Sequence, residues 1–180
     1  MFARTPRLTL RPGWPEDAPA LTRAIGDERV VTMLSKVPWP YALGDAQEFL
    51  SQPRREKDAF FLILSHEADY PCIVGGIGIA PDTDGHELGY WLAPHAWGRG
   101  YATEAGRAVV AIARHALGLK RLHAGHFIDN PASGRVLTKL GFRPTGAVVP
   151  RHSRARGHET PCAVFELDLA SARSEVKMAA

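Results

Sequence analysis

A short segment bracketed by glycines, residues 97–102 (WGRGYA), constrains the fold of this chain more than any other stretch. It follows a strand-like run at residues 87–92, and small or apolar residues then recur at three- and four-residue steps from Ala102 to Leu117. The first amides of a helix have no partner within the helix and lie at the positive end of its dipole. A strand, a glycine turn and a helix start therefore predict a site for an anion such as phosphate.

Two common phosphate-binding loops do not match this segment. A nucleotide-hydrolysing P-loop needs Lys followed by Ser or Thr after its last glycine, where this chain has Tyr101 and Ala102. A dinucleotide-binding fingerprint needs a third glycine three residues further on, where Thr103 stands. On the loop alone, an ordinary strand-to-helix turn that binds nothing stays open as an alternative.

Four blocks in a fixed order carry a resemblance to a known family. They are residues 87–92, 97–105, 129–133 and 139–142. Together they closely resemble the GNAT superfamily of acetyl-CoA-dependent N-acetyltransferases, and the nearest branch looks like the ribosomal-protein N-terminal acetyltransferases of the RimJ/RimL type. The resemblance extends more weakly to residues 7–12 and 17–18, so it covers most of residues 7–168.

The pattern of elements predicts a single α+β domain. A chain of 180 residues is long enough for one substantial core, and it shows no linker and no internal repeat. The resemblance implies a GNAT fold within residues 7–168, with a mixed, mostly antiparallel sheet of about seven strands flanked by helices. Residues 171–180 show no packing pattern and predict a flexible tail. The predicted strands are Arg7–Arg11, Phe60–Leu64, Ile73–Ala80, Glu87–Leu92, Arg121–Phe127, Gly146–Pro150 and Cys162–Asp168, and the predicted helices begin at Pro15, Glu28, Leu43, Ala102 and Pro131.

Composition excludes several classes of function. The formal net charge of +3 suits an anionic cofactor, but the excess is too small to indicate nucleic-acid binding. No apolar run approaches the length of a membrane span, and the first residues lack the apolar core of a signal peptide, so we expect a cytoplasmic protein. We further expect a monomer or a homodimer. Cys72 and Cys162 each lie in a strand-like run without a second cysteine nearby, which predicts buried free thiols and no metal site.

A basic stretch, residues 151–158, lies between the last two strand-like runs. Two interpretations of it stay open, a solvated loop or a lip that attracts an acidic partner such as a ribosomal surface. Its basic residues are Arg151, His152, Arg154, Arg156 and His158.

The resemblance also implies which residues hold the co-substrate acetyl-CoA. The family usually has Arg or Gln where Trp97 stands, so the side-chain contact to pyrophosphate expected there is absent, and we expect Arg99 to compensate. Asn130 matches the family's cofactor-contacting asparagine, and it is equally a plausible helix cap. The implied cofactor-binding residues are Trp91, Leu92, Ala93, Trp97, Gly98, Arg99, Gly100, Tyr101, Ala102, Thr103 and Asn130.

Glu87 is one of two candidate catalytic residues. Strand alternation puts Glu87, Gly89 and Trp91 on one face of their strand. Because the family's cofactor lies beside the end of this strand, the resemblance implies that Glu87 faces the acceptor amine. The alternative is a surface glutamate on an ordinary strand.

Ser133 is the second candidate. Val136, Leu137 and Leu140 form the apolar stripe of its helix, which puts Ser133 on the buried side, where its hydroxyl needs a partner. That partner is either the residue that caps the helix or the thioester sulfur of the cofactor. Family members often carry a tyrosine here as the acid, and since residues 131–140 contain none, Ser133 is the substitute.

The resemblance implies an N-acetyltransferase in which a primary amine attacks the thioester of acetyl-CoA directly. The amide of Leu92 is the candidate donor to the oxyanion. We expect the acceptor to be the N-terminal α-amine of a protein, for instance a ribosomal protein. A small-molecule acetyltransferase and a non-catalytic acyl-CoA-binding module stay open as alternatives.

Overall fold

Eight strands and five α-helices make up the described part of the chain. The structure is a computed structural model, and it describes residues 1–53, 57–67, 70–82 and 85–170. The strands are β1 (Ala3–Arg4), β2 (Leu8–Arg11), β3 (Ala59–Ser65), β4 (Cys72–Asp82), β5 (Gly85–Leu92), β6 (Arg121–Phe127), β7 (Arg143–Ser153) and β8 (His158–Asp168). The helices are α1 (Ala18–Ile25), α2 (Glu28–Val31), α3 (Leu43–Ser51), α4 (Tyr101–His115) and α5 (Pro131–Lys139), with 3-10 turns at Pro15–Asp17 and Pro94–Ala96.

The strands form one mixed sheet in the order β1-β2-β3-β4-β5-β6-β8-β7. All neighbours are antiparallel except β5 and β6, which are parallel and pair at Glu87 and His123. In the described part of the chain no other residues of β5 and β6 pair, so the two strands separate toward their carboxyl ends. The predicted fold is confirmed, and it has one strand more than predicted because β1, at two residues, is too short to show a period.

The sheet is covered on both faces. On one face the apolar sides of α1, α2 and α3 pack on a cluster that includes Leu62 and Leu64. On the other face α4 packs through Ala105, Val109 and Ala113, which are fully buried. Because these side chains are small or medium-sized, α4 approaches the sheet closely, and its amino end is held next to the carboxyl end of β5.

Local capping sets where two helices begin, as predicted. Asp27 Oδ1 accepts a hydrogen bond from the Arg29 amide at 2.9 Å at the start of α2. Asn130 Oδ1 accepts from the Ser133 amide at 3.2 Å at the start of α5, with proline at the first helical position. α2 ends at Val31, and tighter turns with bonds to the third preceding residue continue to Leu34.

The basic stretch is not a long loop, and this corrects the sequence prediction. β7 and β8 extend through half of it, which leaves a turn of residues 154–157, and Arg151 lies within β7. β7 is the edge strand of the sheet and is largely exposed on both faces, so it shows no alternation of apolar and polar residues. Sequence periodicity therefore detected only its middle.

The two cysteines differ in burial. Cys162 is buried in β8 as predicted, but the prediction for Cys72 is wrong, since it is exposed at the start of β4. The predicted tail, residues 171–180, lies outside the described residues. No helix in the described part of the chain is long and apolar enough to cross a membrane.

Candidate active site

A cleft of about 740 Å³ opens where β5 and β6 separate. Its walls come from β5, the glycine segment, the first turn of α4, β6 and α5, and residues 29–35 close one side. Two implied cofactor-binding residues do not line it: Ala93 is buried, and the Arg99 side chain lies 3.9 Å from Glu67. The predicted site residues that line the cleft are Glu87, Trp91, Leu92, Trp97, Gly98, Gly100, Tyr101, Ala102, Thr103, Asn130 and Ser133.

The glycine segment has the backbone of an anion-binding loop. Gly98 and Gly100 have φ angles of +74° and +79°, which side-chain-bearing residues rarely adopt. Gly100 caps α4, and its carbonyl accepts the first helical bond, from the Glu104 amide at 3.0 Å. The amides of residues 101–103 therefore have no acceptor within the helix, and they point where a phosphate group fits.

Arg7 braces this loop from β2, which sequence reasoning missed. Its NH1 donates to the Arg99 carbonyl at 3.0 Å, and its Nε donates to Glu104 Oε2 at 2.8 Å. Its NH2 lies 3.6 Å from the position that a Cβ on Gly100 would take. Arg7 thus ties the loop to α4 and puts a positive charge beside it.

The Glu104 carboxylate is the centre of this brace. It also accepts from the Thr5 hydroxyl at 2.6 Å and from the Arg7 amide at 3.0 Å. Burial alone would raise the pKa of Glu104, but these hydrogen bonds and the charge of Arg7 lower it below its ordinary value. Glu104 is therefore ionised in the folded protein near neutral pH.

The end of β5 turns backbone groups into the cleft. The Ala93 amide donates to the Val74 carbonyl at 2.9 Å, so the backbone of Ala93 faces β4. Because backbone groups alternate sides in an antiparallel pair, both the amide and the carbonyl of Leu92 face the gap. The Leu92 carbonyl accepts from Trp97 Nε1 at 2.8 Å, which leaves the Leu92 amide as a donor toward the cleft.

Ser133 is paired with Tyr90, a residue that sequence reasoning did not assign. The Tyr90 hydroxyl lies 2.7 Å from Ser133 Oγ and donates to the Ser133 carbonyl at 3.0 Å. Burial raises the pKa of Tyr90 to about 12, although its bond to Ser133 acts in the opposite direction, so the phenol is neutral. Strand alternation puts Tyr90 on the face of β5 opposite Glu87, but which helix covers that face depends on tertiary packing, so no local sequence signal pairs Tyr90 with Ser133.

Ser133 uses its backbone, not its hydroxyl, in the helix cap. Its amide donates to Asn130 Oδ1, whereas its hydroxyl bonds Tyr90. The two interpretations of Ser133 therefore concern different atoms, and the capping bond does not occupy the hydroxyl.

Glu87 forms an ion pair with Arg151, across the cleft from Ser133. Arg151 NH1 donates to Glu87 Oε1. Burial alone would lower the pKa of Arg151, and the bond and charge of Glu87 raise it above its ordinary value. Within the described residues, Glu87 is the one carboxylate that lines the cleft. Oε1 of this carboxylate is therefore occupied by a cation.

His126 is a further cleft residue that sequence reasoning missed. It lies in β6 and packs under α5, where a Cβ on Gly134 would come within 2.7 Å of its Nε2. Its Nδ1 is 2.8 Å from the Phe127 carbonyl oxygen. Across the described ranges, no group of three or more His, Cys, Asp or Glu side chains gathers as metal ligands would.

The sheet thus opens between two parallel strands, and the opening holds an anion-binding loop and a hydroxyl pair. Residues 7–143 match the family model described as "Acetyltransferase (GNAT) domain", so the chain belongs to that family. It is an acetyl-CoA-dependent N-acetyltransferase. The glycine backbone of the loop and the Leu92 amide fit the phosphates and the thioester arm of this co-substrate.

Two proteins with similar sequences are also described as N-acetyltransferases. "Uncharacterized N-acetyltransferase YoaA" of Bacillus subtilis is 39% identical over 79 residues, which is 42% of this chain and 45% of that protein. The chain thus spans less than half the length of YoaA in this match. "Uncharacterized N-acetyltransferase p20" of Bacillus licheniformis is 28% identical over 167 residues, which is 91% of this chain and 93% of that protein.

Solved structures share the fold. RimJ of Mycobacterium smegmatis, solved in complex with CoA-disulfide, has a TM-score of 0.76 at 24% identity and covers 92% of this chain and 83% of its own. Ribosomal-protein-S5-alanine acetyltransferase from Vibrio fischeri has a TM-score of 0.79 at 16% identity and covers 94% and 97%. At these identities the likeness concerns the fold.

Proposed function

We propose that this enzyme acetylates the N-terminal α-amine of a protein, and that its catalytic domain spans residues 7–168. The observation that carries the proposal is the ion pair between Glu87 and Arg151. Because Glu87 Oε1 already accepts a hydrogen bond from Arg151, the carboxylate is not free to bind an ammonium group through that oxygen. Such a site suits an amine that is already partly neutral.

The ordinary pKa values of amines separate the two protein acceptors. An α-amine has a pKa of about 7.7–8.0 and a lysine side chain about 10.4, so the neutral fraction of the α-amine at pH 7 is larger by roughly two to three powers of ten. The structural likeness to a protein named for ribosomal-protein acetylation supports the same acceptor. A RimJ/RimL-like role in the cytoplasm belongs to the same proposal.

Residues on different walls of the cleft have different roles in the reaction. Acetyl-CoA supplies the activated acyl group. The Leu92 amide donates to the oxyanion that forms when the amine attacks, and Ser133 Oγ donates to the departing sulfur. Glu87, through water, accepts the proton that the amine loses.

Ser133 acts by hydrogen bonding more than by full proton transfer. A thiol has a pKa of about 8.5, whereas the pKa of its partner Tyr90 is about 12. Moving a proton from that hydroxyl pair to the thiolate is therefore uphill by about 5 kcal/mol. A donated hydrogen bond stabilises the leaving thiolate without that cost.

Cofactor binding is proposed for the glycine segment and the end of β5. The amides of Tyr101, Ala102 and Thr103 bind the pyrophosphate, with Arg7 as the nearest braced cation. Ala93 and Arg99 do not line the cleft, and their role in cofactor binding stays a prediction.

Matched peptides test the acceptor. One peptide has a free N-terminus and no lysine, and the other has a blocked N-terminus and a single lysine, in otherwise identical sequences. We expect faster acetyl transfer to the free N-terminus, measured by mass spectrometry with site assignment. Faster transfer to the blocked peptide, or transfer restricted to small amines such as polyamines or aminoglycosides, would contradict the proposal.

A further inference from the structure

A second cavity, of about 540 Å³, adjoins the cleft. Ser35, Glu87 and Arg151 line both spaces, so the ion pair of Glu87 and Arg151 forms part of the boundary between them. An acceptor whose amine lies at Glu87 therefore extends directly into the second cavity. The remaining lining residues are Lys36, Asp82, His152 and Arg154.

The second cavity holds cations that are not neutralised. Among the described residues, Lys36 and Arg154 form no ion pair, although Arg151 and Arg156 each pair with a carboxylate. Glu87 is matched by Arg151, which leaves Asp82 as the other acid facing Lys36, His152 and Arg154. The cavity therefore has an excess of positive charge and of hydrogen-bond donors.

Hydrogen bonds hold together the two backbone segments that carry these cations. The Arg154 amide donates to the Ser35 carbonyl at 2.9 Å, and the fully buried Ser153 donates through Oγ to the Leu34 carbonyl at 3.1 Å. Arg156 Nε donates to the Thr32 carbonyl at 2.7 Å. The β7–β8 turn is thus fastened to residues 32–35, and the cations come from two segments held together.

We propose that the second cavity binds an acidic side chain of the acceptor, carried by the second to fourth residue of a protein N-terminus. The inference rests on the α-amine acceptor proposed above. An extended chain advances about 3.3 Å per residue, so these residues are the ones that reach a cavity adjoining the amine. Arg154 offers a carboxylate two parallel donors, and Lys36 adds a second positive charge.

Peptide pairs test this inference. Each pair starts with alanine, contains no lysine and differs by Asp against Asn at position two, three or four. We expect kcat/KM to favour Asp about tenfold at one position at low salt, through KM, and salt to reduce the preference because the charges are near solvent. Arg154→Gln and Lys36→Gln should each reduce the preference. Arg143→Gln, an exposed charge at the far end of β7, should leave it unchanged.

A charge-reversal variant distinguishes a changed charge preference from a folding defect. Arg154→Glu should favour peptides with Arg over Asp at the same position, while its melting temperature and its affinity for acetyl-CoA match those of the wild type. Equal kcat/KM for every Asp and Asn pair would overturn the inference and leave the proposed function standing, since the neutral peptide would still be acetylated. No transfer to any peptide would overturn both. Inhibition by a short RNA, with no dependence on peptide sequence, would assign the cavity to nucleic acid and overturn the inference.

Discussion

The hydroxyl oxygens of Tyr90 and Ser133 lie 2.7 Å apart and join the end of β5 to the first turn of α5 across the opening of the sheet. Tyr90 has one proton to donate, either to the Ser133 carbonyl or to Ser133 Oγ. When it donates to Oγ, the proton of Ser133 is free to point into the cleft. Tyr90 thus orients the Ser133 hydroxyl for a bond to a departing sulfur.

Removing either hydroxyl should slow the chemical step. We expect Ser133→Ala to lower kcat several-fold or more, and Tyr90→Phe to lower it in the same direction, with the dissociation constant of acetyl-CoA nearly unchanged. Thioesters with more acidic thiols should lose less rate, because their thiolates need less stabilisation. Steady-state kinetics and calorimetry measure the two quantities. A Ser133→Ala protein with normal kcat and reduced thermal stability would assign the Ser133 hydroxyl to a structural bond with Tyr90 and not to catalysis.

The glycine segment predicts a ligand-dependent stability. A hundredfold excess of acetyl-CoA over its dissociation constant should stabilise the protein by about 2.7 kcal/mol. Gly100→Asp should abolish the effect, because it puts a side chain, a negative charge and an unfavourable φ at the anion site. Gly118→Asp is the control, since Gly118 also has a positive φ, of +65°, and does not line the cleft. Equal thermal shifts with acetyl-CoA in the two variants would refute the loop assignment.

The role of Glu87 predicts a pH dependence of turnover. Glu87→Gln should lower kcat/KM most at mildly acidic pH, where the acceptor is largely protonated and its deprotonation limits the rate. His126→Gln is the informative comparison, since His126 is the other proton acceptor in the described part of the cleft. If only His126→Gln changes the pH profile of kcat/KM, the base is His126 and not Glu87.

The brace of the glycine segment predicts an acid-sensitive fold. The pKa of Glu104 is lower in the folded protein than its unfolded value of about 4.3, so its contribution to stability is complete above that value. That contribution is lost as the pH falls from the unfolded value through the lower folded value. Glu104→Gln should therefore flatten the acid limb of urea midpoints measured from pH 7 to pH 3. The exposed Glu16→Gln should keep the wild-type limb, and an unchanged limb in Glu104→Gln would refute the role of the brace.

Much of the fold could be predicted because its signals are local. The bounds of β6 and the cap at Asn130 depend on residues within one turn or one strand, and the glycine segment carries its own backbone requirement. The same holds for the cleft residues next to that segment.

The side-chain pairs of the site could not be predicted in this way. Tyr90 and Ser133 are 43 residues apart, Glu87 and Arg151 are 64 apart, and Arg7 and Glu104 are 97 apart. Each pair depends on how strands and helices pack, and a single sequence contains no record of that. The same limit explains β7, whose exposed edge lacks the burial that makes a strand periodic.

The single pairing of β5 with β6 gives the molecule an uneven resistance to deformation. Each half of the sheet, from β1 to β5 and from β6 through β8 to β7, is held by ladders of antiparallel backbone hydrogen bonds, with register shifts between Ile63 and Leu64 and between Pro144 and Val148. Between the halves, widening the gap beyond Glu87 and His123 breaks no ladder bond within the described residues. The sheet therefore deforms most easily at the cleft. The Tyr90–Ser133 bond and the Glu87–Arg151 ion pair connect the two walls there and set the width of the cleft.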